Sequence, residues 1–212
     1  MKKRHTIGLG IALATAAATL TLPAAGAGAA SGPSTSTIAD VLLSDSAKDD
    51  ASGFDRNWRD YDIVTQAVLL FPDLVEAAAN PAADLTVLAP NDQAFRLLAH
   101  ELFKKRFHRE ADVLAALATL GLPTVKAVLT YHIVGAGLSP ATVLASDNVQ
   151  VATLSGGTFA VDVINKRVAF VQFVDGDPNA RNAFLNKINI GGGELANGYI
   201  HGVDRVLRPI DL

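Results

Sequence analysis

The sequence predicts an α+β domain in which helices pack on an antiparallel β-sheet wedge or sandwich. Apolar residues recur at helical spacing through most of the first half, interrupted by one short strand-like run. Past Tyr131 the period falls from about 3.6 to 2, most visibly in Val149/Val151, in Phe159/Val161/Val163, and in Val168/Phe170 with Ala169/Val171/Phe173 facing oppositely. Helices and strands do not alternate regularly, so a parallel sheet of crossover units is not indicated.

The N-terminus is read first because it sets what the rest must be. Lys2-Lys3-Arg4 precedes an uncharged apolar run over residues 7–22, which Pro23 breaks. Ala25-Gly26-Ala27 and Ala27-Gly28-Ala29 then offer the small-residue pattern a signal peptidase cuts, so residues 1–29 are read as a secretory signal cleaved after Ala27 or Ala29. A spanning helix needs about 20 apolar residues; this run is shorter and diluted by Gly8, Gly10, Thr15, Thr19 and Thr21, and no transmembrane segment is expected in the mature form. Losing Lys2, Lys3 and Arg4 from 18 basic residues leaves 15 against 21 acidic ones, a net charge of −6 that argues against nucleic-acid binding. The absence of cysteine excludes disulfides, thiolate metal sites, a cysteine nucleophile and a lipidated cysteine. Stability must come from a core, which a domain of this size can supply without staples. Release into the medium is the expected location.

Residues 30–36 are Ala, Ser, Gly, Pro and Thr and read as a flexible linker, with the folded domain over residues 37–212. Ile38, Val41 and Leu42 predict a short first helix ending before the polar stretch 44–52. Asp60 or Asp62 is the expected cap of a second, whose face is Ile63, Val64, Ala67, Val68 and Leu70; Pro72 starts another turn through Leu74, Val75 and Ala78. Leu85-Thr86-Val87-Leu88-Ala89, set between Pro81 and Pro90, reads as a buried strand. A helix follows directly. Asn91 is its N-cap, worth about 1 kcal/mol over alanine, and Asp92 puts negative charge in its first turn. Phe95, Leu98 and Leu102 carry that helix into the core. Val113, Leu114, Leu117 and Leu120 predict another, and Val125, Val128 and Leu129 a further one after Pro123. In the strand-rich half Gly156-Gly157 and Asn165-Lys166 read as hairpin turns, and the segments around Tyr199-Ile200-His201 and from Val203 to Leu207 close the sheet.

Three stretches carry a resemblance. Thr86-Val87-Leu88-Ala89-Pro90-Asn91-Asp92-Gln93-Ala94-Phe95 is a strand-to-helix motif, Tyr131-His132 lies inside an apolar run, and Asn197-Gly198-Tyr199-Ile200-His201-Gly202-Val203-Asp204-Arg205-Val206-Leu207-Arg208-Pro209 closes the chain. In this order and spacing they resemble the fasciclin domain, an extracellular adhesion module. The resemblance implies a mostly structural role for Thr86, Pro90, Asn91, Asp92, Phe95, Tyr131, His132, Asn197, Gly198, His201, Asp204 and Pro209. Asn91 stands where the family usually has Ser or Thr, which preserves capping. Some relatives use an Asp-Ile pair ahead of the closing motif for integrin binding; here Asn189 or a glycine stands in place of that acid, and there is no Arg-Gly-Asp, so that route does not carry over.

No catalytic constellation is present. His100-Glu101 opens like a zinc-protease helix, but Lys104 occupies the second ligand position. Ser155 lacks the sequence context of a nucleophile elbow. His132, His201 and Asp204 have the chemistry to hold zinc, yet the same residues suit core hydrogen bonding, and neither metal nor cofactor is expected. Asp175-Gly176-Asp177-Pro178-Asn179 begins like a calcium loop, but Ala180 and Asn186 replace its Gly and bidentate Glu, so a turn is expected. Residues 175–187 as a whole read as a surface loop able to carry partner specificity. Lys104, Lys105, Arg106 and Arg109 form the densest basic run and are the candidate polyanion-binding residues, against a plain helix end that complements its dipole.

The function expected is a secreted, non-catalytic module for adhesion or for interaction with extracellular matrix or a cell surface, its partner a protein or polysaccharide. The alternative is an extracellular carrier of an apolar small molecule held between helices and sheet by residues such as Phe95, Phe159 and Phe170. A hydrolase using His132 or His201 as base has no support beyond the histidines themselves.

Overall fold

The computed structural model describes residues 34–46 and 52–210; residues 1–29, read as a secretory signal, and the start of the stretch read as a linker lie outside them. The end of that linker is not loose. Ser34 N–H donates to Glu194 O at 3.0 Å and Ala196 N–H to Ser36 O at 2.9 Å, which ties residues 34–36 to the segment before the last strand.

Helices come first: α1 (Ile38–Ser46), α2 (Asp62–Val68), α3 (Pro72–Ala79), α4 (Asp92–Phe103), α5 (Glu110–Ala118) and α6 (Leu122–Tyr131). Thr37 and Asp40 cap α1 reciprocally, with Thr37 N–H donating to Asp40 Oδ2 at 2.8 Å and Asp40 N–H to Thr37 Oγ1 at 3.2 Å. Prolines stand in the first turns of α3 and α6, where a missing N–H costs nothing. Neither Asp60 nor Asp62 caps α2. Asp62 is already helical, and the cap comes from outside: Ile63 N–H donates to Asp92 Oδ1 at 2.9 Å, so α4 supplies the acceptor that α2 lacks locally.

The strands are β1 (Leu85–Pro90), β2 (Ile133–Val134), β3 (Val149–Ala152), β4 (Thr158–Asn165), β5 (Phe170–Val174), β6 (Ala183–Lys187) and β7 (Gly198–Val203), with α7 (Pro140–Ala145) between β2 and β3. They form one sheet in the order β2-β1-β7-β6-β5-β4-β3. Its pairings are antiparallel except β1 with β7, which run parallel in register from Leu85↔Gly198 to Pro90↔Val203. All six residues of β1 are buried. Leu85, Val87 and Ala89 join the helical core with Ile200 of β7, while Leu88 joins a second core with Tyr131, Phe159, Phe173, Val203 and Leu207. The parallel pair is thus the wall between two cores.

Some elements differ from the sequence reading. Residues 183–187, read as part of a loop, form strand β6, so what remains of that loop is a turn pinned by Arg208. Arg208 N–H donates to Asp175 Oδ2 at 2.8 Å, and its guanidinium reaches Asp177 Oδ2 at 3.3 Å and also Glu101. The turn after β4 is longer than Asn165-Lys166, because a 3-10 turn over Lys166–Val168 and a left-handed Ala169 complete it. β7 stops at Val203, since residues beyond it are drawn off the sheet toward His132.

Asn197 closes the fold from the far end of the sequence. Its Oδ1 accepts Ile38 N–H at 2.8 Å, 159 residues away, and its Nδ2 donates to Ala78 O at 2.7 Å, with the side chain buried. Gly198 beside it has φ +125°, and a Cβ there would collide with the Leu85 carbonyl of the parallel partner. Asn197→Ala strands a buried donor at the start of α1 and a buried acceptor at the end of α3. The expected cost is about 2–4 kcal/mol of stability by urea denaturation; a loss of a few tenths would contradict it.

Candidate functional site

The motif residues are held mainly by backbone. Thr86 Oγ1 donates to Ala136 O and accepts from Leu138 N–H, both at 2.7 Å, which pins the segment after β2. Pro90 ends β1 opposite Val203, and Asn91 Oδ1 caps α4 by accepting Ala94 N–H at 2.9 Å. Phe95 lies in the helical core. Tyr131 donates its hydroxyl to Thr158 O at 2.6 Å and sets its ring edge-on to Phe159. Asp204 pairs with Phe184 in both directions, and the Pro209 carbonyl sits where a side chain on Gly176 would have to go.

The two histidines are occupied in opposite tautomers. His132 donates from Nδ1 to Val128 O and accepts Leu207 N–H at Nε2, both at 2.8 Å. His201 donates from Nε2 to Leu138 O at 2.8 Å and accepts Asn189 N–H at Nδ1 at 3.0 Å. Burial pushes both below the ordinary imidazole value, His132 to about 4. Zinc at His132, His201 and Asp204 would need backbone bonds to be broken at both histidines. The same bonds leave neither ring a nitrogen free to act as a base.

The basic run divides. Arg109 leaves it: its guanidinium makes a two-pronged bond with Asp112 at 2.7 and 2.9 Å on the first turn of α5. Lys104 ends α4 in the left-handed conformation at φ 52°, which turns the chain sharply and exposes Lys105 and Arg106. Arg106 then lines an open groove of about 320 Å³ with Gln93, Arg96, His100, Phe107 and His108. Arg96, one helical turn before His100, escaped the sequence reading. It is held over the Trp58 ring at 4.4 Å and bonded to Gln93, which presents a fixed cation to the groove. Its signal was present only as a cation on the same face of α4 as His100.

The phenylalanines proposed for a carrier site do not converge. Phe95 and Phe159 lie in different cores, and Phe170 is exposed and stacked on Phe184 at 5.1 Å. Between α4, α5 and α6 there is an apolar slot of about 30 Å³, lined by Phe95, Leu98 and Leu117 among others. That volume suits roughly one or two water-sized groups.

A group of carboxylates lies at the mouth of α2 and α4. Asp60, Asp62 and Asp92 bring ligand oxygens within 4.8 Å of one another, and so do Asp55, Asp62 and Glu110. Asp92 does not serve as an exposed charge for the α4 dipole, as its position in the first turn suggested. It is buried, and burial with the neighbouring Asp60 pushes its carboxyl well above the ordinary range.

Comparison with known proteins places this arrangement. The model of the fasciclin domain matches residues 62–209, and the chain belongs to the fasciclin domain family. Among solved structures, the chain is similar to a FAS1 domain pair from the insect cell adhesion molecule fasciclin I, at 14% identity and a TM-score of 0.55. The match covers 82% of this chain and 51% of that one, so this chain spans about half the length of that structure. No curated protein matches the sequence significantly.

His132 yields a direct expectation. Its pKa is about 4 folded against an ordinary 6.5, so the unfolded chain takes up a proton that the native ring refuses. The stability this contributes is complete above pH 6.5 and is lost as pH falls toward 4, about 3 kcal/mol in all. The buried acids slope the other way, so NMR titration of the His132 ring is the clean measurement; a midpoint near its ordinary value would contradict the burial argument.

Proposed function

We propose that this protein is an extracellular, non-catalytic adhesion module that docks an anionic polymer of a cell surface or matrix through the groove at the end of α4. Fasciclin domains occur in cell adhesion molecules and are typically extracellular or on the cell surface. The observation that carries the reading is the convergence of Arg96, Arg106, His100 and His108 on one open groove, flanked by exposed Lys104 and Lys105, in a chain with net negative charge. Such a groove concentrates positive potential in a chain whose net charge is negative, so it favours a linear polyanion bearing carboxylate, sulfate or phosphate groups. The rigid Arg96, stacked on Trp58, loses little freedom on binding. The motif residues, in this reading, build the scaffold and contact no partner.

The mature protein should bind immobilised alginate, a polyuronate, at low ionic strength and release as salt rises, and should ignore neutral dextran. Replacing Lys104, Lys105 and Arg106 together by alanine should weaken alginate binding roughly tenfold with little change in Tm, since these side chains are exposed. Replacing Arg109 alone should do less, because Asp112 already neutralises it. Binding that is indifferent to salt, or equal in the triple variant, would sink the proposal.

A further inference from the structure

The carboxylates at the start of α2 are an unusual thing to bury. Asp92 is 0% exposed and Glu110 1% exposed, each at the beginning of a helix, and Asp60 is half-buried in the loop that precedes α2. Each has one oxygen in use or near it: Asp92 Oδ1 takes the Ile63 N–H at 2.9 Å, and Glu110 Oε2 takes the Arg56 N–H at 2.9 Å. The other oxygens are not satisfied. Asp92 Oδ2, Glu110 Oε1 and Asp60 Oδ1 are inaccessible to solvent and have no N–H or hydroxyl donor, and the Asp60 and Asp92 carboxyls face each other within hydrogen-bonding reach. No lysine or arginine side chain is paired with Asp60, Asp92 or Glu110 among the described residues. A buried carboxylate in that condition costs several kcal/mol unless something neutralises it.

Either protons or a cation can do so. Two groups of three carboxylates share Asp62, Asp60/Asp62/Asp92 on one side and Asp55/Asp62/Glu110 on the other, with ligand oxygens inside 4.8 Å in each. An all-oxygen, all-carboxylate set selects a hard divalent ion and disfavours zinc or copper. Calcium accepts an irregular carboxylate set of this kind at roughly 2.3–2.6 Å, while magnesium wants a tighter and more regular octahedron. Access is provided by the exposed residues 55–57, where Arg56 takes a left-handed φ of 79° and Asp55 Oδ1 accepts Asn57 N–H at 2.6 Å. We infer that this pocket is a calcium site, with Asp60, Asp62 and Asp92 as its principal ligands and Asp55 and Glu110 adjoining through Asp62. The ion joins the loop before α2 to the first turns of α2 and α4. None of these acids was singled out as a ligand from the sequence, which gave no metal site.

The test uses the mature protein after chelator treatment at neutral pH, titrated with CaCl2, MgCl2 or TbCl3. Trp58, the one tryptophan in the chain and two residues before Asp60, is the donor for sensitised terbium emission. Calcium at about 10 mM should raise Tm by about 3 °C or more and quench the terbium signal by displacement. Asp60→Asn and Asp92→Asn should each abolish both responses; Asp92→Asn keeps an acceptor for the Ile63 N–H, so it should remain folded. Asp162→Asn, on β4, should respond like the wild type. No Tm shift and no terbium emission would overturn the site and leave the carboxyls protonated. A shift that survives both asparagine variants would also overturn it, and an equal shift from magnesium would overturn the assignment to calcium.

Discussion

One strand buried on both faces governs this molecule. Both faces of β1 are buried, so its parallel pairing with β7 must form for either core to exist. The alternation of side chains sends Leu85, Val87 and Ala89 to the helices and Leu88 to the sheet-side core, so one six-residue segment holds the two halves in register. A slip of one residue would exchange the two sets, putting Thr86 and Leu88 among the helices.

The polar residues that lie against this wall are bound to backbone. Thr86, Asn91, His132, Asn197 and His201 each satisfy main-chain groups of the helix ends and connecting segments that pack around the parallel pair. Chemistry directed outward is therefore left to the rim. Two rim features stand close in sequence, the acidic pocket before α2 and the cationic groove at the end of α4. Trp58 connects them, because its carbonyl accepts Gln93 N–H at 2.8 Å while its ring carries Arg96. Whatever orders the loop of residues 52–60 also sets the position of Arg96.

Local signals were legible and distant ones were not. Pro72, Asn91 and Pro123 announced helix starts because caps and fixed φ act within a turn, and the alternation in β4 and β5 was plain because one face is buried. β6 was read as loop because Ala183-Phe184-Leu185-Asn186-Lys187 does not alternate and only two of its residues pair with β5. The parallel partner of β1 leaves no periodic trace, since both strands are defined by what lies 113 residues away (Leu85 to Gly198) rather than by their own pattern. Lys105 and Arg106 were legible as a basic run, but Arg109 left it through Asp112 and Arg96 entered it through Trp58, both side-chain choices that spacing cannot reveal. The acidic pocket was hidden for the same reason. Asp60, Asp92 and Glu110 each look like ordinary helix-start residues, and only packing of three helix ends brings them together.

The bond from Ile38 N–H to Asn197 Oδ1 spans 159 residues, and β1 waits for a partner that begins at Gly198. The helical core is therefore closed only by contacts far apart in sequence, and the loop-closure entropy must be met before those contacts reward it. Detaching β7 would open the helical core and the sheet-side core alike, because Ile200 faces one and Val203 the other.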